Sequence, residues 1–571
     1  MAVVALARAG PAAHVHAPAE ASPATALVLG VTSHRDLRPE DVPQLRDFLD
    51  DAVGRLRAAF PELSLAMLSP LAEGGDQIAA EVALAHGARL YVPLPMPVEL
   101  YLDDFADAES RSRFLALLAQ ATPIQLAPPE LDLERLKTPG PWRNRQYLAA
   151  GLHVANHCHL LLALWDGTDD GGRGGTSEIV RYYLGGPLPG ARRATDNLRQ
   201  MLAGDDDSLV LHVPVRRASV PDTQAPPSPR WLTSAGARTW EAGMPPDYRR
   251  IFERMQVFER DRRRLAEDVE AGEGDAVERA LRVVDAMAVH YQRLMTWAMR
   301  AIHVLAAVMG LSFLLYSDLG APDWMLWVFL LFFAVGFLAT GAAHRYDWHR
   351  KYIDYRALAE GLRVQAFWRR AGLLVEGDPE FAHDNFLQKQ DVELGWIRNV
   401  MRQLGLQPLP PCEDPTAGVD AVIEDWVGRP GTSGQLGYYA RKAALRERHH
   451  HRTQALGAAC LWTGIGISVL LAGWHGLLPQ RVQNVLVTTM GALSLVAAVR
   501  EAYAYRKADK ELVKQYRFMQ RIYGNARIAL DAARTTREKR EILRALGEAA
   551  LAEHAEWALM HRDRPIEHGK P

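Results

Sequence analysis

Three short stretches in the N-terminal half of this chain carry residue types that recognise phosphate. Gly30-Val31-Thr32-Ser33-His34-Arg35 offers backbone N–H groups, two hydroxyls, an imidazole and a guanidinium. Glu73-Gly74-Gly75-Asp76 opens a helix, and Asp166-Gly167 leads into Gly171-Gly172-Arg173-Gly174-Gly175-Thr176-Ser177-Glu178, which opens another. Glycine lets a backbone approach a ligand closely, and N–H groups at a helix start favour anions. Arg35 and Arg143 can pair bidentately with a phosphate. The candidate ligand-binding set is Gly30, Ser33, His34, Arg35, Gly74, Gly75, Asp76, Arg143, Asp166, Gly174, Gly175, Thr176 and Glu178. Should the pocket turn over substrate, Asp76 and Glu178 are the candidate acid/base carboxylates. No metal ligand set is expected, because the imidazoles of His449-His450-His451 are adjacent rather than four apart.

These turns need strands and helices to hold them. Ala26–Val31, Ser64–Ser69, Ala88–Pro93 and Cys158–Trp165 are short apolar runs that read as buried strands, with Leu209–Val213 as the last. Helical stretches lie between them: Asp41–Phe60, Gln77–His86, Asn144–His157 and Thr176–Leu184. Alternating strand and helix predicts a Rossmann-like α/β fold, a parallel sheet covered on both faces. In such sheets ligands bind beyond the carboxyl ends of the strands, where all three glycine turns fall.

The C-terminal half has another character. Ala301–Ser317, Trp324–Ala343, Ala455–Trp474 and Val482–Val499 are apolar segments near the ~20 residues a helix needs to cross a bilayer. Short connections make them two hairpins. Each is followed by a polar helix with a Tyr-Arg pair, at Tyr355-Arg356 and Tyr516-Arg517, displaced by 516 − 355 = 161 residues. One unit has been duplicated. Large residues at three- and four-residue spacing (Val277, Leu281, Val284, Met287, Tyr291 and Leu294 before the first span; Trp348, Tyr352, Tyr355, Leu358, Leu362 and Gln365 after its hairpin) predict packing of entering helix on leaving helix. Arg293, Arg300, Arg345, Arg350, Arg446, Arg452, Arg500 and Arg506 flank the spans on one side, so both termini are expected in the cytoplasm. The spans lack buried carboxylates, which argues against a coupled transporter.

Composition adds boundaries. The chain has 571 residues with 66 Lys+Arg against 68 Asp+Glu, a balance that says nothing about nucleic acid, and no nucleic-acid partner is expected. Cys158, Cys412 and Cys460 form no CxxC pair, which fits a reducing compartment. The Ala/Pro/His-rich start reads as a disordered lead rather than a signal peptide. The expected organisation is a lead at 1–23, an α/β domain at 24–215, a linker at 216–269 with a short packed element, a first two-span unit at 270–370, a connector at 371–437, a second unit at 438–550 and a tail at 551–571.

The glycine turns of residues 24–215 resemble the SLOG superfamily, Rossmann-like domains related to phosphoribohydrolases. The 171–178 stretch is similar to the PGGxGTxxE loop of the hydrolase branch. Gly171 replaces its proline, and Glu178 stands two residues after Thr176 where the family loop has three. The duplicated hairpin unit resembles the SLATT family, two-span effectors found beside SLOG sensors in bacterial conflict systems. That resemblance implies a homo-oligomeric protein of the bacterial inner membrane. A nucleotide-derived second messenger would bind the α/β domain, and the membrane part would then form a pore or disrupt the bilayer. The competing expectation is a membrane-tethered nucleotide hydrolase acting through Glu178 or Asp76.

Overall fold

The computed structural model describes residues 24–126, 133–169, 174–186, 188, 208–220, 228–265, 274–320, 322–374, 386–387, 392–407, 415–507 and 509–562. The lead at 1–23 and the loop residues Gly171–Arg173 lie outside them. Eight strands form one sheet: β1 (Ala26–Ser33), β2 (Ser64–Leu68), β3 (Arg89–Leu94), β4 (Thr122–Gln125), β5 (Leu160–Trp165), β6 (Val210–Pro214), β7 (Arg230–Thr233) and β8 (Gly236–Thr239). Their order is β4-β3-β2-β1-β5-β6-β7-β8. The first six are parallel, and β7 and β8 are antiparallel additions.

Alternation along β1 explains how both faces are filled. Leu27, Leu29 and Val31 enter one core with α1 (Val42–Ala59) and α2 (Gly75–Ala85), while Ala26 and Val28 enter the other. After α3 (Ala108–Leu118), α4 (Pro141–His157) and α5 (Thr176–Tyr183) cover that second face. Strands therefore accumulate in one direction from β1 through β2, β3 and β4, and in the other through β5 and β6. The crevice at the carboxyl ends of β1 and β5 is the topological switch point of the sheet.

The stretch 216–269 departs from the expected linker. It holds β7, β8 and a 20-residue helix, α6 (Pro246–Leu265), so Val210–Pro214 is not the last strand. Trp231 and the α6 residues Ile251, Phe252 and Met255 are buried in the main core. Short edge strands need few apolar residues, and an arginine-rich helix with one apolar stripe keeps a polar average, which hid both elements.

The helical part follows as α7 (Ala276–Leu319), α8 (Trp324–Arg345), α9 (Trp348–Arg370), α10 (Gly395–Gly405), α11 (Pro415–Val422), α12 (Gly434–Trp474), α13 (Gln480–Lys507), α14 (Asp509–Ala532) and α15 (Thr536–Arg562). Of the tail expected at 551–571, the described part is the end of α15. Among the described residues, four helical stretches are long and apolar enough to cross a membrane. Their surfaces are bare of other protein: Trp327 is 73% and Leu338 69% exposed, a display of large apolar groups that water does not tolerate at this density. The two hairpins meet through α7 and α13, where Gly310 accommodates Leu495 and Gly491 accommodates Leu314.

The duplicated units share a contact as well as a pattern. Arg356 of α9 reaches back 71 residues to Asp285 of α7 at 2.9 Å, and Arg517 of α14 reaches back 70 residues to Glu447 of α12 at 2.6 Å. The expected stripes pack as read: Val284, Met287 and Tyr291 of α7 are buried with Tyr355, Leu358 and Leu362 of α9, and the Tyr291 and Tyr355 rings stand 5.6 Å apart.

Helix α6 joins the two parts. Its buried Glu259 accepts hydrogen bonds from Thr25 N (3.1 Å) and Thr25 Oγ1 (2.7 Å) just before β1, and pairs with Arg262 and Arg263. On its other side Asp261 accepts from Tyr355 of α9 at 2.6 Å and pairs with Lys351 at 2.9 Å. Replacing Glu259 by Ala strands the Thr25 donors and removes the carboxylate from two guanidinium groups. The expected loss is about 3 kcal/mol, the low end for breaking a buried pair because Arg263 is half exposed. Denaturant unfolding of the purified chain measures it, and an unchanged midpoint would remove α6 as the joint.

Candidate functional site

Seven of the sequence-chosen residues meet at the switch point. β1 ends in Ser33, whose hydroxyl donates to Asp76 Oδ1 at 2.8 Å. His34 Nε2 lies 3.1 Å from Asp166 at the end of β5. Gly74 and Gly75 carry the turn into α2, and each is glycine for a steric reason. At Gly74 φ is +92°, and a Cβ would stand 2.5 Å from the carbonyl oxygen of Arg35. At Gly75 it would stand 2.7 Å from Ser33 and from Leu164. The first turn of α2 is thereby pressed against the ends of β1 and β5.

Electrostatics separate the two aspartates. Burial pushes the Asp76 carboxyl up to about 7, against the hydrogen bond from Ser33 and the charge of Arg35, which pull it down. Burial would also raise Asp166, but hydrogen bonds from Thr168 and from His34 outweigh it and hold that carboxyl below its usual value. The site thus contains one carboxyl that exchanges its proton near neutral pH and one that stays ionised.

Arg35 stands open beside them. Its guanidinium lies 5.1 Å from the centre of the Tyr147 ring on α4 and has no acceptor within hydrogen-bonding distance among the described residues. It lies close to Asp76 and Asp104, which hold its charge fixed. An arginine stacked on an aromatic ring with its donors unspent is a ready anion receptor.

Other sequence-chosen residues have different employment. Arg143 is buried, pairs with Asp104 at 2.8 Å, and donates to the carbonyls of Leu136 and Leu100, each at 2.7 Å, and to Tyr147 at 2.9 Å. It braces the wall behind Arg35, with each of its three nitrogens already bonded within the protein. Gly30 sits mid-strand, where a Cβ would meet Cys158 at 2.7 Å and Val154 at 2.8 Å, so it serves the packing of α4. Glu178 accepts from Gly174 N at 2.6 Å and folds onto its own loop. Gly174 (φ +75°) is pressed against the backbone of α4, Gly175 caps α5, and Thr176 is buried at its first position.

No family model, curated protein or solved structure matches this chain. The site therefore rests on its own geometry. Asp104 and Tyr147, hydrogen-bonded to one another, were missed by sequence reading. Only the four-residue spacing of Arg143 and Tyr147 on one helix could have pointed to them.

The Asp76 environment has a pH signature. An unfolded chain ionises this carboxyl near 3.8, whereas the folded one holds its proton up to about 7. The stability it contributes is complete below the lower value and is lost as pH rises through the upper one. Asp76→Asn, which keeps an oxygen for Ser33, is therefore expected to gain stability over wild type steadily between those values and to level off above them. Melting-temperature series across that range check it; a constant difference removes the assignment. Separately, Gly74→Ala forces a strained backbone against Arg35 and is expected to cost about 1–3 kcal/mol, read from the same melts at one pH.

Proposed function

We propose that this is a multi-pass membrane protein whose SLOG-like α/β domain senses a nucleotide-derived ligand and controls a SLATT-like four-helix module. The output is permeabilisation of the bacterial inner membrane in defence, by a homo-oligomer with both termini in the cytoplasm. The observation that carries the ligand half is Arg35, an uncommitted guanidinium at a switch point, beside the N-terminus of α2 and a neighbouring neutral-range carboxyl. Phosphate is the group whose chemistry suits that combination. Four lipid-compatible helices joined to the sheet through α6 support the membrane half.

The coupling has a defined span to cover. The helices hold β1 at its first residues, Thr25 and Ala26, while the ligand residues follow its last, Ser33. At ~3.3 Å per residue the two ends are roughly 25 Å apart. A ligand can shift the membrane module only by binding one of its arrangements more tightly than the other.

Ligand extraction from the purified protein, followed by mass spectrometry, tests the sensor. A phosphorylated nucleoside derivative is expected from wild type, and Arg35→Ala is expected to bind it about ten- to a hundredfold more weakly and to lose ligand-dependent dye leakage from liposomes. Leakage that Arg35→Ala leaves intact would sink the reading. The near-neutral Asp76 carboxyl favours a second reading, a hydrolase with Asp76 as acid/base. Release of free base or ribose phosphate from nucleoside monophosphates, NAD or ADP-ribose, abolished in Asp76→Asn, would decide for it.

A further inference from the structure

The four apolar helices lie in a row. Helix α8 packs beside α7, α7 beside α13, and α13 beside α12. The two units therefore meet through the entering helix of the first, α7, and the leaving helix of the second, α13. Gly310 of α7 receives Leu495, Gly491 of α13 receives Leu314, and His303 stands edge-on to Tyr503 with ring centres 5.3 Å apart.

This seam joins unlike faces of equivalent units. By duplication α12 corresponds to α7 and α8 to α13. A twofold pair would make each contact twice, so α12 would pack on α8 as α7 packs on α13. Among the described residues α8 and α12 do not pack on one another. The seam is head-to-tail, and it leaves one entering face and one leaving face open at the two ends of the row.

Both open faces have the pattern of a seam. On α12, Ala459, Trp462, Gly466, Val469 and Gly473 follow at steps of three and four residues, and all are exposed. On α8, Trp327, Leu331, Ala334, Leu338 and Gly341 do the same. A 3.5-residue period is the one that keeps a stripe facing a partner helix along its length. A Cβ at Gly341, Gly466 or Gly473 would meet nothing within 4 Å, so each is a hollow waiting for a side chain. Inside the chain the hollows at Gly310 and Gly491 are filled by leucines of the neighbouring unit. Lipid can cover either open face, but the equivalent faces of α7 and α13 are covered by protein. With the helices antiparallel, as at the internal seam, Trp327 near the start of α8 comes level with Gly473 in the last turn of α12.

We propose that α12 of one chain packs on α8 of a second copy, repeating between chains the seam that joins α7 to α13 within one. Trp327 of the second copy then sits over Gly473. This rests on the membrane reading of the four helices and names the contact through which the homo-oligomer forms. A head-to-tail contact is not saturated in a dimer: it continues until a ring closes, each chain contributing two units.

The test uses the full chain in membranes, with Cys412→Ser and Cys460→Ser to remove background thiols. Trp327→Cys and Gly473→Cys in one chain are expected to give a ladder of dimers, trimers and larger species with a short bifunctional maleimide. Either variant alone should stay monomeric on the gel, and co-expression of the two single variants should give dimers only. Gly466→Phe adds bulk where a Cβ meets nothing of its own chain, so it should leave recovery in membranes unchanged and weaken the ladder about tenfold. Dimers from either single variant, no ladder from the double, or a ladder that Gly466→Phe leaves intact overturns the seam while the membrane reading stands. Recovery of the chain in the soluble fraction overturns both.

Discussion

The position of everything else depends on how Glu259 is satisfied. A carboxylate with no solvent exposure must find donors or lose its charge, and this one finds them on both sides of a domain joint. Thr25 supplies two donors from the start of β1, and two arginines of α6 supply the rest. Helix α6 is thereby held to the sheet along one side, which leaves Asp261 to hold α9 on the other. Burial tends to raise the Glu259 carboxyl, and the arginines and Thr25 bring it below its usual value, so the joint stays charged through the physiological range.

A second set of contacts reinforces this joint at the same edge of the sheet. Gln403 of α10 bonds to Ala24 and Ala26 on either side of Thr25, and His159, just before β5, bonds to the Asn399 carbonyl at 2.8 Å. Both central strands are therefore gripped at their amino ends, while the candidate ligand residues occupy their carboxyl ends. Fold and site divide the strands between them: one end for anchorage, the other for chemistry. Helices α6 and α10 both connect this edge of the sheet to the helical part.

Legibility varied with the range of the forces involved. The strand–helix alternation and the glycine turns at Gly74-Gly75 were readable because turn geometry is local. The role of Arg143 was not, because its partners Asp104, Leu100 and Leu136 come from a segment whose path follows from the whole sheet. Gly30 misled for a related reason: a glycine that admits a helix and one that admits a ligand look alike until the neighbouring Cys158 and Val154 are in place. In the membrane part the order of difficulty reverses. Spans are dictated by composition over ~20 residues, yet which spans become neighbours depends on fits between the units, as of Gly310 to Leu495.

What the sequence determined by itself is the pair of hairpins, the parallel α/β class and the cluster around Ser33, Arg35 and Asp76. Each follows from hydrophobic period, span length or turn chemistry within a few tens of residues. Only tertiary structure decided that residues 230–265 extend the sheet and form the joint, that Arg143 braces while Arg35 stands open, and that Tyr355 bonds to Asp261 whereas Tyr516, its equivalent by duplication, packs against Tyr439. The physical reason is common to all three. Whether a charge or hydroxyl is spent or free is set by the groups that reach it, and here those groups lie far apart in the chain, as Thr25 and Glu259 do at 234 residues.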